Sequence, residues 1–325
     1  MTTVQLSFDR EPVPAVGFDD LDMELVEKTM RNGARLDRYK GSLDARAYLL
    51  RFGGVVAAGD ALQPTVAGVL AFTREPERWL TASGIDVALY REDRMLPTRS
   101  KVQQMRGPIF QVIDETVATL EDECTFSQFE GARLVRELDT PLIVLRELTT
   151  NAVVHRDLSL FGSQVRIQVF PRTIEWSSPG GLPAGITVET LLTAQFARNP
   201  GLAQFLFHAG YIEKFGMGLD AVIDALRDTN LGAPEFHDDK HSFRVRIPRR
   251  VEQSQAQRNV VTREDRAAAI LALFTAQPEW RQHELIERLG FSRSTLQRDL
   301  DWLVREGQLL ARGATKNRIY TLPAK

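Results

Sequence analysis

Apolar and polar positions change period several times along the chain, and each change marks an element. Leu21, Leu25 and Val26 recur at helical spacing among charges, which predicts a helix over residues 20–31. Ahead of it, Pro12 and Pro14 punctuate an extended stretch that reads as a surface arm. Residues 65–72 form an unbroken apolar run and are expected as a buried strand. A short proline-started helix near 77–80 and a second strand over 85–90 come next. Residues 107–123 place Ile109, Phe110, Ile113 and Val117 on one helical face. Further on, Val165, Ile167 and Val169 alternate with Gln164, Arg166 and Gln168, the pattern of a half-buried strand. Pro171-Arg172 turns the chain, and Ile174 and Trp176 continue the alternation. Helices are expected over 202–208 and 216–226, and Phe243, Val245 and Ile247 mark a closing strand. Helices segregated on one face of a mixed sheet make an α/β sandwich.

Residues 249–261 are polar and Gln-rich without an apolar period, so they read as a linker. Thr262-Arg263-Glu264-Asp265 has the form of a capping box ahead of Ala269, Ile270, Leu273 and Phe274. Residues 281–289 predict a second helix, and residues 292–306 a third, capped by Ser292 and ended by Gly307. Residues 308–312 and 318–322 flank a Gly-Ala-Thr-Lys-Asn turn and predict a β-hairpin. Three helices and a hairpin resemble a winged helix-turn-helix. The expected layout is an N-terminal α/β segment over 1–100, a central domain over 101–250 and the winged helix over 259–325.

The chemistry concentrates in residues 145–158. Glu147 and Asn151 stand four apart, one turn from each other on one helix face, and His155 extends the stripe by another turn. A carboxamide can ligate Mg²⁺, and a neighbouring carboxylate can orient or deprotonate water. The pair gains meaning from three motifs downstream: Ser178-Pro179-Gly180-Gly181-Leu182-Pro183 after a strand, then Arg198-Asn199-Pro200, then Gly216-Met217-Gly218 opening a helix. This order resembles the GHKL (Bergerat-type) ATPases, the fold of gyrase B and histidine kinases. Within them it resembles the module of the Schlafen/AlbA-associated, "RecG-like" bacterial regulators. The resemblance covers about half the chain. The AlbA-type domain is expected to be missing, since the chain begins at what would be its downstream edge.

The resemblance implies ATP and Mg²⁺ as cofactors. Asn151 would be the metal ligand and Glu147 the catalytic base. His155, Ser178, Gly180, Gly181, Arg198, Asn199, Lys214, Gly216, Met217 and Gly218 would complete the nucleotide site. Gly180 and Gly181 would let the backbone pass close to the adenine ring, while Ser178 stands where many relatives carry an Asp for the adenine amino group. Gly216 and Gly218 would offer backbone N–H groups at a helix N-terminus to the phosphates. No Gly-x-x-x-x-Gly-Lys-Ser/Thr occurs, which excludes a P-loop helicase motor. His155-Arg156-Asp157-Leu158 spells the start of a kinase catalytic loop, but Gly162 stands where that loop needs Asn, and a kinase is excluded.

For the C-terminal domain, Ser292, Arg293, Ser294, Thr295, Gln297 and Arg298 open the recognition helix, and Lys316, Asn317 and Arg318 form the wing tip. Hydroxyls and guanidinium groups there suit phosphate and base-edge contacts on double-stranded DNA, while Asp299 and Asp301 weaken the basic stripe. The net charge of −2 over 325 residues gives no global pull toward nucleic acid, so DNA contact must come from a local surface. The single cysteine, Cys124, excludes an internal disulfide. Apolar runs are too short to span a bilayer, and residues 1–14 lack the apolar core of a signal peptide, so a cytoplasmic, membrane-free protein is expected. The expectation is a homodimeric regulator in which ATP modulates a DNA reader. The alternatives are a GHKL ATPase whose turnover drives dimer closure on DNA, and a degenerate scaffold that binds no nucleotide.

Overall fold

The computed structural model describes residues 7–95, 100–130, 133–194, 196–213, 218–250, 263–274, 277–289, 293–313 and 318–323. The chain forms two compact units: Met1–Asp122 with Thr140–Arg249, and Glu123–Asp139 with Arg250–Lys325.

The larger unit begins with a set of helices. Helix α1 (Met23–Arg35) is capped by Asp22, whose carboxylate accepts from the Leu25 N–H at 3.2 Å, and it buries Val26, Thr29, Met30 and Gly33. After α2 (Ala45–Phe52), a hairpin of β1 (Val55–Ala58) and β2 (Ala61–Pro64) leads into α3 (Val66–Phe72). The segment expected as a buried strand is therefore a helix. Every residue of α3 is buried, so no polar face interrupts the run and its period is invisible. Thr65 decides the conformation: its Oγ1 accepts from the Gly68 N–H at 3.1 Å and donates to the Gly53 carbonyl at 2.7 Å. Gly68 permits the packing, because a Cβ there would lie 1.9 Å from the Gly54 carbonyl oxygen.

A six-stranded sheet carries the rest of this unit, in the order β4 (Ser100–Met105), β3 (Ile85–Tyr90), β7 (Val165–Val169), β8 (Thr173–Pro179), β10 (Ser242–Pro248), β9 (Glu235–Asp238). Of its neighbouring strands, β3 and β7 pair in parallel and the others are antiparallel. Strand β3, from the segment expected to stand apart as residues 1–100, thus shares its hydrogen bonds with β7. The alternation read from the sequence holds in β7, where Val165, Ile167 and Val169 are buried and Arg166 is exposed. Helix α4 (Ile109–Cys124) precedes α5 (Leu142–Val154). Helix α5 packs on β8 and on α7 (Gly218–Asp228), and α6 (Pro200–Ala209) packs on α1, α2 and α3. The fold is a mixed α/β sandwich, as expected.

The stretch read as a surface arm is in part interior. Its 3-10 turn, Phe8–Arg10, carries Asp9 at 0% exposure, and the Asp9 carboxylate accepts from the backbone N–H groups of Gly201 at 2.7 Å and Leu202 at 3.0 Å. A carboxylate at a helix N-terminus satisfies donors that have no partner within the helix and interacts favourably with the helix dipole.

The smaller unit contains a hairpin, β5 (Thr125–Glu130) and β6 (Arg133–Leu138), that the sequence pattern did not reveal. It also holds α8 (Arg263–Leu273), β11 (Glu279–Arg281), α9 (Gln282–Leu289), α10 (Arg293–Arg305), β12 (Leu310–Arg312) and β13 (Ile319–Thr321). The expected wing hairpin gains a third strand, giving the order β11-β13-β12. Ile270, Leu285, Leu289, Leu296, Leu300, Leu303 and Tyr320 close the core of this winged helix-turn-helix. The capping box at Thr262 and the linker after Arg250 lie outside the described residues.

Replacing Asp9 with Ala leaves two buried N–H groups at the start of α6 without their acceptor. Asp9→Ala is expected to lower unfolding stability by about 2 kcal/mol, read from urea unfolding.

Candidate functional sites

The larger unit encloses a cavity of about 460 Å³ between α5, the turn after β8, the 182–197 loop and the start of α7. Glu147, Asn151 and His155 all line it, as do Ser178, Gly180, Gly181, Arg198 and Gly218. The stripe predicted from spacing therefore faces one space together with both glycine elements. Leu182 and Pro183 end the glycine-turn motif, and Ile186, Leu191, Ala194 and Phe196, which sequence reasoning missed, extend them as an apolar wall. The latter belong to turns without a regular period, so nothing in their spacing marked them.

Glu147 is half-buried, and burial pushes its carboxyl above the ordinary range, with Glu213 adding to the rise and Arg146 opposing it. Its Oε2 lies 2.5 Å from where a Cβ on Gly218 would sit, and the Asn151 Nδ2 lies 3.6 Å from the same point. Gly218 is thus the residue that lets the first turn of α7 approach the Glu147–Asn151 pair. Lys214, Gly216 and Met217 lie outside the described residues.

His155 is the C-cap of α5, its backbone N–H donating to the Asn151 carbonyl at 3.0 Å. His155 is exposed and lines the cavity. Crowding first, then the nearby Arg198 charge, lower its pKa to about 4. At neutral pH the imidazole carries no charge.

Several of the predicted residues also hold the walls of the cavity together. Asn199 is 1% exposed and does not line the cavity. Its Nδ2 donates to the carbonyls of Val154 and Arg156, both at 2.8 Å, and so satisfies the end of α5. Arg198 donates from Nη2 to the Gly181 carbonyl, and its Nη1 pairs with Asp157 Oδ2 at 3.6 Å. Gly180 has φ +88°, and a Cβ there would meet Arg198 Nη1 at 2.4 Å and the Asp157 Cβ at 2.5 Å. A Cβ on Gly181 would meet Asp238 Oδ1 and the Lys240 Cα, each at 2.6 Å. Protein atoms occupy both places, so a side chain at either position would disturb the turn. Ser178 donates its hydroxyl to the Ala152 carbonyl at 2.7 Å, which leaves Oγ toward the cavity only as an acceptor. Arg156 is buried, donating to the carbonyls of Ala82, of Leu160 at 3.2 Å and of Ser163 at 2.9 Å. Burial lowers its pKa to about 10, against the raising effect of Asp157.

In the smaller unit, the recognition helix α10 carries Arg298 exposed and Gln297 half-buried. Ser292, Lys316 and Asn317 lie outside the described residues, as do the side chains of Arg293, Ser294 and Thr295. Asp299, expected to weaken a basic stripe, is 1% exposed and turned inward. Arg266 of α8 grips it with two hydrogen bonds, Nη2 to Oδ1 at 3.0 Å and Nε to Oδ2. Its charge is met inside the domain by the Arg266 guanidinium.

The depressed pKa of His155 has a defined sign. The unfolded imidazole binds a proton near pH 6.5 and the folded one only near 4, so between those values the unfolded state holds more protons and stability falls as pH falls. Proton NMR of the His155 ring is expected to titrate well below 6.5, and His155→Gln should flatten the dependence of the unfolding midpoint between pH 4 and 6.5.

Two family models match parts of the chain. Residues 162–247 match the family described as "Putative ATP-dependent DNA helicase recG C-terminal", and residues 265–312 match the IclR helix-turn-helix domain. The first match begins after α5, so Glu147 and Asn151 precede it. No curated protein matches the chain. Among solved structures, the DIP2311 protein from Corynebacterium diphtheriae aligns with TM-score 0.59 and 18% identity, over 98% of this chain and 65% of its own. This chain thus spans just under two thirds of that protein, and at that identity the likeness is one of fold. The chain carries a RecG-like C-terminal ATPase-type domain and an IclR-type helix-turn-helix domain.

Proposed function

We propose that the protein is a DNA-binding regulator in which a GHKL-type ATP·Mg²⁺ site in the larger unit modulates the winged helix. The observation that carries the reading is the convergence of Glu147, Asn151 and the first turn of α7 on one cavity, in a chain that also carries an IclR-type reader. The cavity volume falls within the range of about 300–1,000 Å³ that small-molecule sites occupy. Among the described residues no cluster of three His, Cys, Asp or Glu side chains forms a protein-built metal cage. The donor set suits Mg²⁺ all the same, since that ion is usually held by one or two protein oxygens together with phosphates and water.

In this reading Asn151 supplies its carboxamide oxygen to the metal, which would neutralise phosphate charge when bound. Glu147 accepts the proton of an attacking water, and its raised pKa brings a carboxylate nearer to a working base. Ser178 accepts from an amino group on the base, and the apolar loop covers the ring. His155, being neutral, offers a hydrogen bond without adding charge.

Calorimetry is expected to show Mg²⁺-dependent ATP binding that Asn151→Ala abolishes. Glu147→Gln should retain binding and lose any phosphate release. ATP binding that is unchanged in Asn151→Ala would place the site elsewhere.

Arg298→Ala and Arg293→Ala are expected to weaken binding to a duplex selected by the full chain, with affinity falling as salt rises. Regulation adds a reciprocity: ATP·Mg²⁺ must change DNA affinity by the same factor by which DNA changes ATP affinity, on the order of 1 kcal/mol or more. Equal DNA affinity with and without ATP, while hydrolysis continues, would favour an ATPase whose turnover, rather than binding, is the function.

A further inference from the structure

The winged-helix unit contains an acidic side chain that the charge pattern alone scores as a liability. Asp301 lies on α10 one turn after Gln297, and its Oδ1 accepts from Gln297 Nε2 at 2.9 Å. The same oxygen accepts from Arg318 Nη1 at 3.2 Å, a residue that enters β13 from the wing. Gln297 is fixed from its other end, because its Oε1 accepts from Gln282 Nε2, on α9, at 2.8 Å. Arg318 also lies over the Tyr320 ring, with Cζ 5.6 Å from the centroid, and Tyr320 is fully buried in the core. The Asp301 oxygen therefore ties the recognition helix to the residue entering β13, and Gln297 carries the link on to α9.

Such a pair contributes little to stability. The side chains of Arg318 and Asp301 are 33% and 44% exposed, and ion pairs so open to water are screened. What the arrangement supplies is geometry. Gln297 is thereby held at three points, by Gln282, by Asp301 and beside the Tyr320 hydroxyl, so its side chain keeps one orientation. A guanidinium held by one nitrogen keeps its other donors in a fixed fork. Side chains that read base edges or phosphates discriminate by such direction, and a loose Gln or Arg does not.

Resting on the DNA-binding reading, we propose that Asp301 is a positioning residue for DNA recognition: it sets Gln297 and Arg318 in one constellation, so the acidic group supports specific binding. Plain electrostatics predicts the opposite sign. Removing a carboxylate from a DNA-facing surface raises affinity for every duplex alike, since phosphate attraction is blind to sequence.

The test uses the full chain and two fluorescent duplexes, one selected by the wild-type protein from a random pool and one a scramble of it. Anisotropy titrations at two salt concentrations compare wild type, Asp301→Ala, Asp301→Asn and Arg318→Ala. Asp301→Ala is expected to lower the selected-to-scrambled affinity ratio about tenfold or more, while the scrambled duplex is bound equally well or more tightly. Asp301→Asn keeps the shape and an acceptor and should lose less of the ratio. The double variant Asp301→Ala/Arg318→Ala should lose less than the sum of the single changes. If Asp301→Ala does not fold by circular dichroism, Arg318→Ala decides: an unchanged ratio overturns the proposal. Tighter binding of both duplexes by the same factor also overturns it and leaves the DNA-binding reading standing. A wild-type protein that enriches no duplex overturns both.

Discussion

The end of α5 is held by a side chain that arrives from 45 residues downstream. Helix carbonyls in the last turn have no intrahelical donor, and here they cannot turn to water because the segment is buried. Asn199 solves this by donating from one amide nitrogen to Val154 and Arg156, and Arg198, the residue before it, reaches the Gly181 carbonyl. Pro200 then starts α6, whose first N–H groups are met by Asp9. One short stretch of chain thereby fixes the helix that carries Glu147 and Asn151, the turn at Gly180-Gly181 and the packing of α6. The cavity exists because these three elements have a common anchor.

That anchor changes how the polar residues around the cavity are to be weighed. Arginine, asparagine and serine beside a glycine turn invite assignment to a ligand, since those side chains bind phosphates and bases in many sites. In this fold Asn199 and much of Arg198 and Ser178 are committed to backbone carbonyls of Val154, Arg156, Gly181 and Ala152. The polar groups that line the cavity are the Glu147–Asn151 pair, His155, Glu213, Arg198 and the acceptor side of Ser178, beside an apolar loop. A buried polar group must be paired, and the pairing that stabilises a wall removes the same group from the ligand's reach.

The winged-helix unit follows the same logic with charges. Asp299 and Asp301 are two apart on one helix, so they point in different directions. Asp299 turns into the core and meets Arg266, where removing either partner would strand a charge. Asp301 stays at the surface and gathers Gln297 and Arg318. Net charge along the helix treats the two as equal, while their surroundings give one a role in packing and the other a role in orientation.

The elements legible in the amino-acid pattern are those whose burial is one-sided. Strands β3, β7 and β10 alternate because one row of each faces a core, and α10 shows its apolar spacing for the same reason. The Glu147, Asn151, His155 stripe was legible as well, because helical spacing alone puts i, i+4 and i+8 on one face. Contacts between distant segments fixed the rest. They made a helix of Val66–Phe72, since a segment buried on all sides has no period to read and the cap at Thr65 settles it. They turned the supposed arm inward through Asp9 and drew the 125–138 hairpin into the smaller unit. They also chose which polar side chains serve carbonyls and which serve the cavity. Those choices rest on partners such as Gly181, 17 residues from Arg198, and Val154, 45 residues from Asn199, and a local pattern carries no information about contacts at that range.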